Sequence, residues 1–183
     1  MPAHMRRAVW LLGLCQCILW GVLYYSFSVL LVPMEASLAL SRTAVAGAFS
    51  IGLLAMAVLA PVVGRWLDRG HAAHVTRIGM ALAALGLGIV ASADGAPALY
   101  FGWLCMGTAM ACLLYEPAFA LVARAVDDDF HRVRALAAVT VMGGLASTIF
   151  LPVVSALIET LGWRSTALVC AGAVLLAASI MEV

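Results

Sequence analysis

The chain has 183 residues, 66% of them hydrophobic and 10% charged, with a formal net charge of +1. Soluble domains average roughly 45–50% apolar and about 25% charged residues, so a water-soluble globule of this length is excluded: it could not bury so much apolar surface. The near-zero charge leaves no basic footprint, and no nucleic-acid partner is expected.

What remains is a chain that repeatedly crosses a lipid bilayer. A membrane-spanning helix needs about 20 mainly apolar residues to cover roughly 30 Å of hydrocarbon. Hydropathy predicts six such helices, at about 8–33, 43–63, 75–93, 97–122, 135–157 and 163–181, forming one bundle over 1–183 with no separate soluble domain. The fold class is an all-α membrane protein.

The first span follows Arg6 and Arg7, as a secretory signal would. A signal's apolar core runs about 7–15 residues, whereas apolar or aromatic residues continue here from Ala8 to Val32, so a retained helix is expected. On it Gln16, Trp20, Tyr24 and Ser28 recur every fourth residue, a polar and aromatic stripe drifting about 40° per step. Amide and phenol groups orient a polar solute without desolvating another charge, so these four are candidates for a solute path. Tyr25, about 100° from Tyr24, fits lipid contact or helix packing equally. Cys15 and Cys17 point about 200° apart on a helix. With Cys105, Cys112 and Cys170 also inside spans, the cysteines read as packing residues, and neither a metal nor a cofactor is expected.

Ser41 is a predicted N-cap of the second span. The joint after it reads Gly64-Arg65-Trp66-Leu67-Asp68-Arg69-Gly70. Asp94-Gly95 before Pro97 combines turn chemistry with a helix start. In the fourth span Glu116 is the one acidic residue well inside hydrocarbon, where an ionisable group is functional by default. With that helix centred near residue 110, Glu116 lies about 9 Å from the midplane. A continuous helix places Gly102, Cys105, Ala109, Cys112, Ala120 and Ala123 within about 40° of it. Glu116 and the adjacent Tyr115 join the solute or proton path as candidates; a protonated Glu116 bonding to a neighbouring helix stays open.

Pro61, Pro117 and Pro152 permit bends. The pairs Gly107/Ala111 and Gly143/Ser147, and the face bearing Thr140, Gly144, Ser147 and Leu151, read as packing seams. Asp127-Asp128-Asp129 with His131, Arg132 and Arg134 is a solvated turn rather than a metal site. No catalytic residue is assigned, because His4, His71, His74 and His131 all fall in joints or at the terminus.

All ten basic residues are Arg. Arg6, Arg7, Arg65, Arg69, Arg77, Arg124, Arg132 and Arg134 fall on one side of the predicted spans and only Arg42 and Arg164 on the other, which places the N-terminus, and with six spans also Glu182 and Val183, in the cytoplasm.

The glycine followed by Asp68-Arg69, in the joint between the second and third spans, resembles the cytoplasmic loop motif of the major facilitator superfamily. Ser41-Arg42, Pro152 and Gly162-Trp163-Arg164 agree with it. Together they resemble the N-terminal six-helix half of such a transporter, with Ser-Arg and Gly-Trp-Arg most like the branch of monocarboxylate and oxalate/formate porters. The chain departs from the family where a glycine comes one residue early as Gly70, where His71-Ala72-Ala73 replaces the usual basic pair, and where Trp103 stands four residues before Gly107 in place of the Arg of proton-coupled exporters.

The resemblance implies a secondary transporter in the inner membrane that moves a small solute by alternating access, an anionic solute and proton coupling being among the expectations. It implies a gate at Gly64, Asp68 and Arg69. Such transporters have two six-helix halves with the substrate site between them. The chain is therefore expected to be a fragment, or to pair with a second half, the missing C-terminal one or another copy. A non-transporting assembly subunit and a six-span intramembrane enzyme are the alternatives.

Overall fold

The computed structural model describes residues 3–181, with side chains through Ala177; the expected placement of Glu182 and Val183 lies outside the described residues. Helix α1 (Ala3–Leu19) continues through a π-helical segment (Trp20–Tyr25) into α2 (Ser26–Leu38). Then come α3 (Arg42–Asp68), α4 (Ala72–Ser92), α5 (Ala96–Leu113), α6 (Tyr115–Ala125), α7 (Asp129–Gly144) and α8 (Ala146–Met181).

Five segments are long and apolar enough to cross a membrane: Ala3–Leu38, Arg42–Asp68, Ala72–Ser92, Ala96–Ala125 and Asp129–Ala177. Hydropathy predicts six. The difference lies in the last segment, whose 49 residues contain both of the final two predicted spans without an intervening loop. Inside it Gly162 has φ 77° and ψ 159°, which no helix accommodates. Before Gly162 the contacts climb the first segment, and after it the chain returns to the first segment at Cys15 by way of the end of α4. Met142 lies against Gly13 and Phe150 against Gly21, whereas beyond Gly162 Arg164 reaches the Ala91 carbonyl (2.8 Å) and Cys15 Sγ lies 3.4 Å from the Ala177 carbonyl.

Helix α5 packs between α3 and α4. In lipid there is no hydrophobic drive to bring helices together, so close backbone approach and van der Waals contact decide the pairing. A Cβ on Gly107 would sit 2.0 Å from the Gly52 carbonyl oxygen, and one on Gly102 would sit 2.7 Å from Val90 Cγ2 and 3.1 Å from the Gly86 oxygen. Five residues apart on a helix is about 140°, so the two glycines of α5 face different neighbours. Gly107 thus meets α3 across the bundle, a partner its sequence pairing with Ala111 did not disclose.

Two arginines tie helix ends together, although charge counting used them only as markers of orientation. The Arg124 guanidinium donates to the Leu67 carbonyl at the end of α3. Arg164, its guanidinium carbon 4.4 Å from the centre of the Trp163 ring, donates to Ala91 O at the end of α4. The last carbonyls of a helix lack intrahelical donors and carry the negative end of its dipole, which is why a cation there stabilises.

The predicted cap of the second span is present, and the acidic turn supplies another. Ser41 Oγ accepts from Ala44 N at 3.2 Å, and Asp128 caps α7 by accepting from His131 N at 2.8 Å. The hydrogen bonds from the His131 backbone and side chain hold the Asp128 carboxyl below its usual range. Arg132 donates to Val126 O (3.0 Å), Asp127 O (3.0 Å) and Asp129 Oδ1 (2.7 Å), binding the acidic turn to itself. All five cysteines are buried and free.

Gly70, at φ 88°, ends α3 in the left-handed conformation. His71 N donates to Trp66 O (3.1 Å) and Gly70 N to Leu67 O (2.9 Å), the paired bonds of a glycine-terminated helix. The glycine that comes one residue early relative to the family motif is the residue this helix end requires.

Candidate solute-binding face

Two interruptions of regular helix touch each other. In the first segment the chain widens to a π-helix at Trp20–Tyr25, where the Ser26 backbone N–H reaches Gly21 O. The Ser26 hydroxyl donates to Val22 O at 2.6 Å, which keeps the widened turn's polar groups paired. Such π-segments are rare and concentrate at functional sites. A Cβ on Gly21 would fall 2.1 Å from the Phe150 ring, so within the π-segment the backbone itself is the surface α8 packs on.

A π-turn spaces residues i and i+5 one turn apart, and this changes which side chains meet. Trp20 lies 5.4 Å from Tyr24 and 6.2 Å from Tyr25, with the two tyrosines 5.2 Å apart (ring centroids). Tyr25, which a regular helix turns away from the stripe, joins it. Tyr24 and Trp20 are half-buried and Ser28 is exposed.

The second interruption divides the predicted fourth span. Leu114 is extended (φ −77°, ψ −151°) between α5 and α6. The cause is legible in part: Pro117 has no N–H to give Leu113 O, its partner four residues back. Gln16 supplies the missing donor, its Nε2 lying 2.8 Å from Leu113 O. The carbonyl can only accept, so the nitrogen must face it, which fixes the amide's orientation. Gln16 is fully buried and its Oε1 has no hydrogen-bond partner among the described residues, as is also true of Trp20 Nε1.

The break corrects one expectation. Glu116 does not share a face with Gly102, Cys105, Ala109 and Cys112: those residues are buried against the neighbours of α5, whereas Glu116 is exposed in the first turn of α6. Projection along one continuous helix fails because Leu114 resets its phase. Gln16, a solute-path candidate, is buried with its amide nitrogen on the broken backbone.

Around the break the rings continue. Tyr115 lies 4.8 Å from Trp20 and stacks on Phe119 at 5.1 Å. Its hydroxyl donates to Thr140 O at 3.1 Å. Tyr24 meets Phe49 at 5.5 Å; Phe49 stacks on Phe27 at 4.2 Å, and both stand edge-on to Trp103 at 5.1 Å. Trp103 is fully buried, so where the proton-coupled relatives implied by the resemblance carry an Arg this chain has an aromatic core joint between the first segment, α3 and α5.

The structure therefore brings together Trp20, Tyr24, Tyr25 and Tyr115, leaves Glu116 exposed as the sequence neighbour of Tyr115 and Ser28 exposed further along the first segment, and separates from them Gly64, Asp68 and Arg69 at the end of α3. Gly64 is half-buried and a Cβ there would meet nothing within 4 Å; Asp68 and Arg69 are exposed. Tyr25 and Phe49 were missed by sequence reading, and only the π-turn would have signalled the first.

The sequence profile of the Major Facilitator Superfamily matches residues 9–183. Comparison with curated proteins gives no match. An all-helical bundle with five segments apolar enough to span a bilayer, matched over almost its whole length, is an integral membrane protein that belongs to the Major Facilitator Superfamily, whose members are transporters and not enzymes.

Proposed function

We propose that this chain is a six-crossing unit of a secondary transporter that moves a small polar solute by alternating access along the aromatic face of its first and fourth crossings. The observation that carries this reading is the contact between the π-segment and the Leu114 break, tied by Gln16 to Leu113 O (2.8 Å) and by Trp20 to Tyr115 (4.8 Å). Irregular backbone at membrane depth is tolerated only inside protein or beside a watery cavity. A sixth crossing is supported by the non-helical Gly162 and the return of the chain to Cys15 beyond it.

In this reading both termini and the arginine-rich joints face the cytoplasm of a cell with this protein in its inner membrane. A second six-helix unit completes the solute path, and Gly64, with open space beside it, lets that unit approach the Asp68–Arg69 gate. Tyr24 and Ser28 offer hydroxyls to the solute and Tyr115, whose proton goes to Thr140 O, offers its ring, while Glu116, exposed and next to Tyr115 in sequence, exchanges the coupling proton.

Proteoliposomes carrying the protein with its second half, loaded with a pH-sensitive dye and challenged with a panel of small carboxylic acids and amino acids, test this. At least one solute should drive proton entry, and Glu116→Gln should slow that entry by at least about tenfold while leaving solute binding within about threefold. Proton entry unchanged by Glu116→Gln would remove Glu116 from the mechanism.

A further inference from the structure

At the end of the bundle where α3 turns into α4, Trp66, Arg69, His71, His74 and Ile78 line a cavity of about 450 Å³. The glycine-terminated end of α3 builds it. Because Gly70 reverses the chain within one residue, Trp66 in the last turn of α3 and His74 and Ile78 on the first turns of α4 border the same space. The His71 and His74 rings stand 6.1 Å apart, edge to face.

The cavity's two walls differ in chemistry. Trp66 and Ile78, each 43% exposed, form an apolar wall on helices that continue into the membrane. Arg69, His71 and His74 form a donor wall at the joint, and no carboxylate lines it. Arg carries its charge at every accessible pH, and an imidazole offers an N–H in either protonation state. His71, the N-cap residue of α4, makes no side-chain cap hydrogen bond. Of the nearby charges, Arg124 is committed to Leu67 O, and Asp68 and Arg65 are exposed outside the lining.

An apolar wall meeting a wall of N–H donors, one of them the Arg69 guanidinium, at the end of two membrane-spanning helices suits a ligand with the same division. We propose that this cavity holds the headgroup of an anionic phospholipid, its phosphate against Arg69, His71 and His74 and its glycerol and first acyl carbons along Trp66 and Ile78. Tryptophan at the boundary between hydrocarbon and headgroups favours such contact, and each cation near an anionic surface strengthens it about fivefold. A free phosphate would use only half of the lining. The site is separate from the aromatic face and does not depend on what is transported, though it shares Arg69 with the gate proposed above.

Native mass spectrometry of the full chain in detergent, with added phosphatidylglycerol or phosphatidylcholine and a third arm of inorganic phosphate, tests the proposal. Phosphatidylglycerol should be retained in preference to phosphatidylcholine. The exposed pair His71→Ala/His74→Ala should weaken that retention by about fivefold or more, and His71→Arg/His74→Arg should restore it, which separates loss of the site from loss of the fold. Equal retention by the alanine pair and the unaltered protein overturns the proposal. So does displacement of phosphatidylglycerol by millimolar inorganic phosphate, which would mark a plain anion site.

Discussion

Gly107→Val should lower the apparent melting temperature of the detergent-purified protein by roughly 6–12 °C, the shift expected of a loss of about 3 kcal/mol in a chain of this size. The new Cβ would begin 2.0 Å from the Gly52 oxygen and 2.5 Å from the Gly52 carbonyl carbon, so no rotamer relieves it and α3 must move off α5. Because α5 is also pressed on α4 through Gly102 and Gly86, it cannot retreat. Gly88→Ala supplies the comparison: nothing lies within 4 Å of a Cβ there, and its melting temperature should be unchanged or slightly raised. Equal melting temperatures for Gly107→Val and Gly88→Ala would mean that α3 and α5 do not cross through their backbones.

The second large effect is a coupling. Gln16→Leu should cost about 1–3 kcal/mol, because it leaves Leu113 O buried without a donor. In a Pro117→Ala background the same change should cost less than about 0.5 kcal/mol, since residue 117 then has an N–H of its own to offer that carbonyl once α5 and α6 join. Leucine also removes the unpaired Gln16 Oε1, so the single substitution mixes a loss with a relief and only the double-mutant cycle isolates the Leu113 bond. Chemical denaturation or thermal unfolding of the four proteins reads it. Additive losses would show that the break at Leu114 stands without Gln16.

These two expectations mark what the sequence discloses and what it withholds. Span length, Ser41 as a cap, Pro97 at a helix start and the Asp68–Arg69 joint depend on local chemistry, which residue types carry openly. The π-segment is not encoded by any periodicity in Trp20–Tyr25, and the packing of Phe150 on Gly21 within it joins residues far apart in the chain. Pro117 announces a missing hydrogen bond but not where the backbone will turn. That the turn falls at Leu114, and that Gln16 repairs it, emerges only when the first and fourth segments lie together. Glu116 was visible as a misplaced acid, yet its outward direction rests on the same break.

The distinction between packing and passage comes down to whether water reaches the side of α6 that bears Glu116. The native cysteines are all buried, so a Glu116→Cys variant presents one new exposed thiol to a charged, membrane-impermeant maleimide in intact proteoliposomes of the protein with its second half. The account predicts rapid labelling that slows at least about fivefold when a transported solute is present. Labelling only by a lipid-soluble maleimide, with no reaction from water on either side, would contradict it.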